Sequence, residues 1–239
     1  MCKYTPNRQV IESELSIGRL QPGNSACSTR GVGSRLWVVL WATACFAQPY
    51  EVGATIGYGA YRNATVIAPA GKAEAGFGNR FAAGAILGED LYRHLSGELR
   101  YLFQDGDPFV SAGGKKGNVQ GQSHAVHYDL LFHLNGRESR WRPYAAVGGG
   151  IKYFRTTGPA PSPQPLPSIV TLTNENQIRW LVTAGGGVKY RLYKHVSVRG
   201  EFLDYITPFP HRLFVPAQGG TDRGIFQQFT PMFGIGYTF

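Results

Sequence analysis

The sequence predicts an all-β protein, an eight-stranded antiparallel up-and-down β-barrel that spans a membrane. Three observations lead to this prediction: the alternation in the last strand, the regular rhythm of long and short connections, and the composition. The 239 residues include 32 glycines, 13% are aromatic and only 16% are charged. No apolar run of 18 residues follows residue 50, so helical membrane spans are excluded for that part of the chain.

The final segment, 226–239, alternates between large apolar and small or polar residues. Because successive strand side chains point to opposite faces, the two sets separate. One face carries Phe229, Phe233, Ile235, Tyr237 and Phe239. The other carries Thr230, Met232, Gly234, Gly236 and Thr238. Lipid outside and a narrow lumen inside explain both faces.

Seven further segments share this alternation, and each is long enough for a tilted membrane strand. The eight predicted strands are 51–61, 75–88, 94–104, 123–134, 141–154, 177–191, 195–206 and 226–239. Long polar loops at 62–74, 105–122, 155–176 and 207–225 alternate with short links at 89–93, 135–140 and 192–194. This rhythm is typical of barrels with short periplasmic turns and longer loops outside. A repeat supports it, since Leu91–Ser96 recurs as Leu192–Ser197.

The formal net charge is +9, but the basic residues are spread along the chain. We therefore expect no nucleic acid as a partner, and phosphates of membrane lipids or lipopolysaccharide as the counter-charge. The three cysteines, Cys2, Cys27 and Cys45, all precede residue 48. The remainder has no disulfide framework, as suits a chain that crosses an oxidising periplasm. No cofactor and no metal site is predicted.

The N-terminal part, residues 1–47, is predicted to be an extension that ends in a secretory signal peptide at about 30–47. Arg30 and Arg35 precede an apolar run, 36–47, that ends in small residues before Gln48. Ala47 is the expected residue before the cut, and residues 48–239 form the barrel domain. Lipoprotein processing at Cys45 is the alternative, ranked lower because Ala42 stands where a leucine is usual.

Several strand motifs resemble the small OmpA/OmpX-type family of bacterial outer-membrane barrels. They are Ala82–Leu87, Pro143–Ile151, Arg199–Tyr205 and Gly236–Phe239. The resemblance implies an outer-membrane location in a Gram-negative-type bacterium. It also implies that Ile235, Tyr237 and Phe239 form the C-terminal signal read by the barrel assembly machinery. No peptidoglycan-binding domain follows the last strand, so wall anchoring is not expected.

The inward faces carry ionisable residues that must pair in so narrow a barrel. The predicted lumen charge network consists of Glu98, Arg100, His127, Asp129, Arg199 and Glu201. We interpret it as a structural plug that closes the barrel. The alternative is a narrow ion-conducting pore, in which Glu98, Arg100, Arg199 and Glu201 rearrange to open a path.

A lipid A-modifying hydrolase or acyltransferase is the second alternative. His127 and Asp129, with Ser123 as nucleophile, are its candidate residues. The sequences His94-Leu-Ser96 and His195-Val-Ser197 offer similar spacing, but their repetition beside short turns indicates strand-start structure.

The predicted function is therefore a structural or surface-interaction role, with a packed lumen and no catalytic residues. Any extracellular ligand is expected to bind through the four extracellular loops. Within one of them, the proline-rich stretch 159–167 is expected to be stiff and to protrude.

Overall fold

The computed structural model describes residues 49–239, so the predicted extension and signal peptide lie outside the described residues. Eight antiparallel strands close into a barrel. They are β1 (Tyr50–Arg62), β4 (Arg80–Tyr92), β5 (Leu95–Asp105), β8 (Gly121–His133), β9 (Trp141–Thr156), β11 (Gln177–Arg191), β12 (Val196–Pro208) and β15 (Ile225–Thr238). Around the barrel the strands follow the order β1-β15-β12-β11-β9-β8-β5-β4. Within residues 49–239, no helix is long and apolar enough to cross a membrane.

The barrel closes between its first and last strands. β1 pairs with β15 in a register that places Val52 opposite Tyr237 and Ala54 opposite Ile235. On its other edge β1 pairs with β4. Each barrel strand therefore has two hydrogen-bonded neighbours, so the backbone polar groups of the barrel are paired without an open edge. The predicted eight-stranded antiparallel barrel is confirmed.

The four long loops differ from the prediction, because they contain seven more strands. These are β2 (Ala64–Ala68), β3 (Gly71–Phe77), β6 (Pro108–Ala112), β7 (Lys115–Asn118), β10 (Val170–Leu172), β13 (Phe214–Pro216) and β14 (Thr221–Arg223). They form one sheet in the order β14-β2-β3-β6-β7 and another of β10 and β13. We call this assembly of loops the cap. The predicted strand 75–88 is wrong at its start, since residues up to Phe77 belong to β3 of the cap and the barrel strand begins at Arg80.

The cap has its own apolar core, which is continuous with the adjoining ends of the barrel strands. The ring of Phe77 lies 5.0 Å from that of Phe154 on β9 and 5.4 Å from that of Phe226 on β15. The buried core residues are Ala64, Val66, Ala68, Ala73, Ala75, Phe77, Val110, Val119, Phe154, Leu166, Ile169, Val170, Leu172, Phe209, Leu213, Phe214 and Phe226. Burial of this much apolar surface stabilises the cap, because each large side chain contributes about 1.5–3 kcal/mol.

The proline-rich stretch packs into this cap. Leu166 is buried in the core, and the side chain of Gln164 exchanges hydrogen bonds with the backbone of Leu172 at 2.9 and 3.1 Å. The expectation that 159–167 protrudes is therefore wrong at its C-terminal half. The physical reason is the apolar sequence that follows. Ile169 and Val170 are buried in the same core, and Leu166 packs beside them.

Two neighbouring glycines of β9 show how closely the strands approach inside the barrel. A Cβ at Gly150, on the inward face, would collide with the Val126 carbonyl oxygen and the His127 Cα of β8. A Cβ at Gly149, on the outward face, would meet only the Leu181 carbonyl oxygen, at 3.4 Å. The lumen side tolerates no side chain at this point, whereas the outer side does.

We therefore predict that Gly150→Ala lowers the unfolding free energy of the barrel by about 1–3 kcal/mol, as overpacking does. Gly149→Ala is the matched control and is expected to behave like the wild type. Urea titration in detergent micelles, followed by the gel mobility of unheated samples, measures both. Equal midpoints for the two variants would contradict the close approach of β8 and β9.

Candidate functional site: the barrel lumen and its rims

Four charged side chains from β5 and β12 meet inside the barrel, in the half nearer the short turns. Arg100 Nη2 donates to Glu98 Oε2 at 2.6 Å, and Nη1 donates to Glu201 Oε1 at 2.9 Å. Arg199 Nη1 donates to Glu98 Oε2 at 2.9 Å. Glu98 is 0% exposed and Glu201 6%. The β5 pair and the β12 pair are thus joined across the barrel.

Two further residues complete the group. Lys189 Nζ donates to Glu98 Oε1 at 2.6 Å and to Glu51 Oε2 at 2.7 Å, and Arg199 Nη2 donates to Glu51 Oε1 at 2.6 Å. We call Glu51, Glu98, Arg100, Lys189, Arg199 and Glu201 the lumen ion cluster. Sequence reasoning missed Glu51, although it shares the inward face of β1 with Gly53 at a spacing of two. The cluster ties β1, β5, β11 and β12 together with three positive and three negative charges.

His127 and Asp129 lie beside this cluster. Asp129 Oδ1 is 2.9 Å from His127 Nδ1 and accepts the Thr183 hydroxyl at 2.5 Å, while Asp129 Oδ2 is 3.3 Å from Arg100 Nε. The edge of the His127 ring packs on Tyr205. The structure therefore brings these two predicted residues together, buried in the lumen and facing away from lipid.

Ser123, the third member of the hypothetical catalytic set, lies elsewhere. Its hydroxyl is 3.4 Å from the Tyr61 hydroxyl, further along β8 towards the cap. Ser123 is 4% exposed and forms no hydrogen bond with His127. The residue types of a hydrolase are present on β8, but the described geometry does not assemble them into a nucleophile with its base.

The histidines of the repeated His-x-Ser sequences make the same contact in both copies. His94 Nδ1 is 3.0 Å from the carbonyl oxygen of His133, and His195 Nδ1 is 2.8 Å from that of Thr238. Each histidine thus holds the end of the neighbouring strand. The serines donate to carboxylates in different positions: Ser96 donates to Asp90 of the adjacent strand β4 at 2.5 Å, and Ser197 donates to Glu51 of β1, two strands away, at 3.2 Å. The repeat is a structural feature of the short-turn end.

Beside the cluster and beyond it towards the cap, the lumen is filled by apolar and polar side chains, with a buried lysine near the cap. The apolar group comprises Ala82, Leu102, Ala125, Leu131, Tyr144, Ala146, Leu181, Leu203, Tyr205 and Met232. Beyond it, Lys152 Nζ donates to the Tyr61 hydroxyl at 2.8 Å and to Gln228 Oε1. Its ammonium also lies 4.7 Å from the centre of the Tyr61 ring. Buried polar side chains such as Gln104, Thr183 and Thr230 share this part of the barrel with the apolar ones, so the described lumen is filled by side chains of both kinds.

The short-turn end carries basic residues from several strands and turns. A cavity of about 250 Å³ is lined by Arg137, Arg142, Lys189 and several carboxylates. Asp90 lies 3.5 Å from both Arg137 Nε and Arg142 Nη1, and Lys189 belongs to the lumen ion cluster. The charges of this cavity therefore largely neutralise one another.

The outside of the barrel is a continuous apolar belt. Its exposed side chains include Val52, Ile56, Leu87, Leu99, Val126, Val147, Ile151, Val182, Phe202, Phe233 and Ile235. Aromatic residues lie nearer the two ends, with Tyr58, Tyr101 and Trp180 towards the cap and Trp141 and Tyr237 towards the short turns. A closed barrel with an apolar outer band between aromatic girdles is built to sit in lipid.

The chain is an eight-stranded outer-membrane β-barrel. The predicted location is thereby confirmed. The residues of the predicted C-terminal signal lie on the outer belt, where Ile235, Tyr237 and Phe239 are all exposed. Phe239 N donates to the Tyr50 carbonyl oxygen at 2.9 Å, which fixes the end of the chain to the start of β1.

Similarity to known proteins is found among solved structures, at low sequence identity. No protein-family model matches the chain, and no curated protein matches it in sequence. Among solved structures, Neisserial surface protein A is similar at 10% identity and a TM-score of 0.47, over 80% of this chain and 97% of that protein. The N-terminal barrel domain of Pseudomonas aeruginosa OprF is similar at 15% identity and a TM-score of 0.44, over 80% and 97%. Ail of Yersinia pestis is similar at 13% identity and a TM-score of 0.38, over 79% and 98%.

We predict that Arg100→Gln destabilises the barrel by about 3–5 kcal/mol, because it leaves Glu98 and Glu201 buried with less positive charge. Arg80→Gln is the control. Arg80 lies at the long-loop rim, half-exposed, and pairs with Asp105 at 2.9 Å and Asp107 at 2.7 Å. Such an exposed pair contributes about 0–1 kcal/mol. Urea unfolding in micelles compares the two, and a smaller loss for Arg100→Gln than for Arg80→Gln would refute the central role of the cluster.

Proposed function

We propose that this barrel is a surface-interaction protein of the outer membrane, whose lumen is a plug and whose cap is the interacting part. The observation that carries the proposal is the folded cap: its four loops share one apolar core that continues into the barrel ends. A surface held in one conformation binds a partner at a lower entropic cost than mobile loops do.

The proposal places the cap outside the cell and the short turns in the periplasm. Long loops at the outer rim and short turns at the inner rim are the usual arrangement in outer-membrane barrels. The cap strands at the periphery expose polar side chains, including Lys72, Lys115 and Lys116. An extracellular ligand bound through the loops follows from this orientation, and so do lipid and lipopolysaccharide as neighbours of the outer rim.

The rival function as a pore has less support. Opening a path past Glu98 and Arg100 would separate charges that are buried and mutually paired. An ion would then still meet the apolar side chains around Leu203 and the core of the cap. Both barriers favour the plug.

The rival function as a lipid A-modifying enzyme also has less support. His127 and Asp129 face the filled lumen, and Ser123 contacts Tyr61 instead of His127. A lipid in the outer leaflet meets the outer belt of the barrel, from which these side chains point away. A barrel without catalytic residues is therefore the simpler proposal.

Planar-bilayer recording tests the plug. We expect no discrete conductance steps from the wild type, and none from Glu98→Gln, because the other buried side chains of the lumen and the cap remain. The different gel mobility of heated and unheated samples verifies that the inserted protein is folded. Steps that change in size with Glu98→Gln would show a conducting lumen and overturn the proposal. Fatty acid released from lipopolysaccharide by the wild type but not by His127→Ala would overturn its non-enzymatic part.

We also predict that deletion of Phe239 lowers the yield of folded barrel in the outer membrane severalfold. The exposed aromatic terminus is proposed to be read by the barrel assembly machinery, and its loss removes one contact that holds the end of β15 to β1. Phe239→Tyr keeps an aromatic terminus and serves as the matched control. Quantification of heat-modifiable protein in outer-membrane fractions measures both. A yield for the deletion equal to that of the wild type would exclude the terminal residue as a signal.

A further inference from the structure

The five-stranded sheet of the cap ends at an open edge. Its last strand, β7 (Lys115–Asn118), pairs with β6 on one side and with no strand on the other. The turn between β6 and β7 is Gly113-Gly114, with φ values of 54° and 78°, which is typical of the two-residue turn of a tight hairpin. A Cβ at either glycine would have no atom within 4 Å, so the tip of this hairpin projects into open space.

The register of the hairpin shows which backbone groups of β7 are free. Val119 N donates to the Pro108 carbonyl oxygen at 3.0 Å. Because bonded and non-bonded pairs alternate in an antiparallel ladder, the next residue of β7 that bonds to β6 is Gly117. The N–H and C=O groups of Lys116 and Asn118 therefore point away from β6. Within residues 49–239 no other group bonds to them, so they form an unused ladder of donors and acceptors.

Three lysines of this sheet have no acidic partners. Lys115 and Lys116 belong to β7, and Lys72 lies exposed on β3. Within residues 49–239 none of the three forms an ion pair, whereas the exposed Arg80 at the same end of the barrel does. Lys116 Nζ lies 4.6 Å from the centre of the Phe109 ring, a contact that leaves its charge unneutralised. The edge is therefore positive and favours an anionic partner.

One face of β7 is covered and the other is free. A Cβ at Gly117 would collide with Pro165 Cγ, so the proline-rich stretch lies against that face. The side chains of Lys116 and Asn118 point to the opposite face and are exposed. A strand added at this edge would extend a sheet that is already held in place, which lowers the entropic cost of binding.

We propose that β7 is a docking edge, and that its partner is an extended acidic segment of another protein. The segment adds to the sheet as a further strand, with its backbone bonded to Lys116 and Asn118 and its carboxylates near the lysines. A second copy of this chain is a poor occupant, because its own β7 would bring like charges together. An anionic polysaccharide would pair with the lysines but leave the alternating N–H and C=O groups unused.

This inference rests on the proposed function, in which the cap is the interacting part, and it names the class of partner. The experiment uses the full chain, isotope-labelled and folded in detergent micelles, with a peptide of alternating glutamate and threonine as the probe. Amide exchange is followed by NMR. Without the peptide, we expect the amides of Lys116 and Asn118 to exchange fast and those of Gly117 and Val119 slowly. Saturating peptide should slow the two fast amides by about tenfold or more, because each becomes hydrogen-bonded. The same peptide with methylated amides cannot pair as a strand and is the matched control.

Two pairs of variants separate the backbone from the charge. Asn118→Pro removes one free N–H of the edge and no charge, so it should weaken binding of a fluorescent form of the peptide by about fivefold or more. Asn118→Ala keeps the N–H and should bind within about twofold of the wild type. Lys115→Gln with Lys116→Gln should weaken binding by about tenfold at low salt and by less at high salt, because salt screens exposed charges. Lys194→Gln, at the short-turn end, should leave binding unchanged.

Unchanged exchange at Lys116 and Asn118 in the presence of bound peptide, or equal binding of the methylated peptide, would overturn the strand pairing. Tighter binding of an anionic polysaccharide than of the peptide, at equal charge, would overturn the choice of partner. Lys72→Cys tests the outward orientation of the cap separately. A membrane-impermeant maleimide should label it on intact cells, with the unsubstituted protein as the blank. Labelling without peptide binding would reject the docking edge alone, whereas peptide binding without labelling would support the edge and reject the outward orientation.

Discussion

An eight-stranded barrel has an interior just wide enough for side chains to fill, and most features of this protein follow from that limit. An inward position can hold a glycine, an apolar group or a charge, but each charge needs a partner at close range. Glu98 meets this requirement with three cations, Arg100, Lys189 and Arg199. These contacts join strands that are not neighbours in the sheet. Backbone hydrogen bonds between strands close the barrel, and the lumen ion cluster links the strands from the inside.

The same limit explains the relation between the barrel and the cap. A lumen filled with side chains ends at the cap side in aromatic groups, Tyr61, Phe154 and Phe226, that need apolar neighbours. The loops supply them through Phe77 and Phe214. The core of the cap is thus continuous with the barrel interior, and contacts with these aromatic rings position the cap. The outer surface contacts lipid along the apolar belt, and the cap surface beyond the belt contacts solutes.

The face on which each strand residue lies could be predicted from the sequence, because the alternation with a period of two does not depend on where the strand begins or ends. Glu98, Arg100, Arg199 and Glu201 were therefore placed correctly on the inward face, although their role as a structural plug stays a prediction. Glu51 was missed because it is the second residue of β1, and the strand residues that show the alternation all follow it. The alternation of Ala73, Ala75 and Phe77 runs into β4, so a cap strand and a barrel strand looked like one.

The cap could not be predicted in the same way. Its sheet pairs β14 with β2 and β3 with β6, segments that belong to different loops and share no local signal. Val66, Val110, Ile169 and Phe214 each look like an isolated apolar residue in a polar loop until the loops are brought together.

The five-stranded sheet of the cap takes strands from three separate loops. A short peptide copied from one of these loops would lack the strands that hold it in its native shape. With the cap outside the cell, as proposed, antibodies raised against such a peptide would meet a different conformation on the intact protein, where Val66 and Phe77 are buried. The surface that such antibodies must recognise is therefore discontinuous in sequence. Single changes to exposed residues such as Lys115 would alter its antigenic character while the fold beneath stays the same.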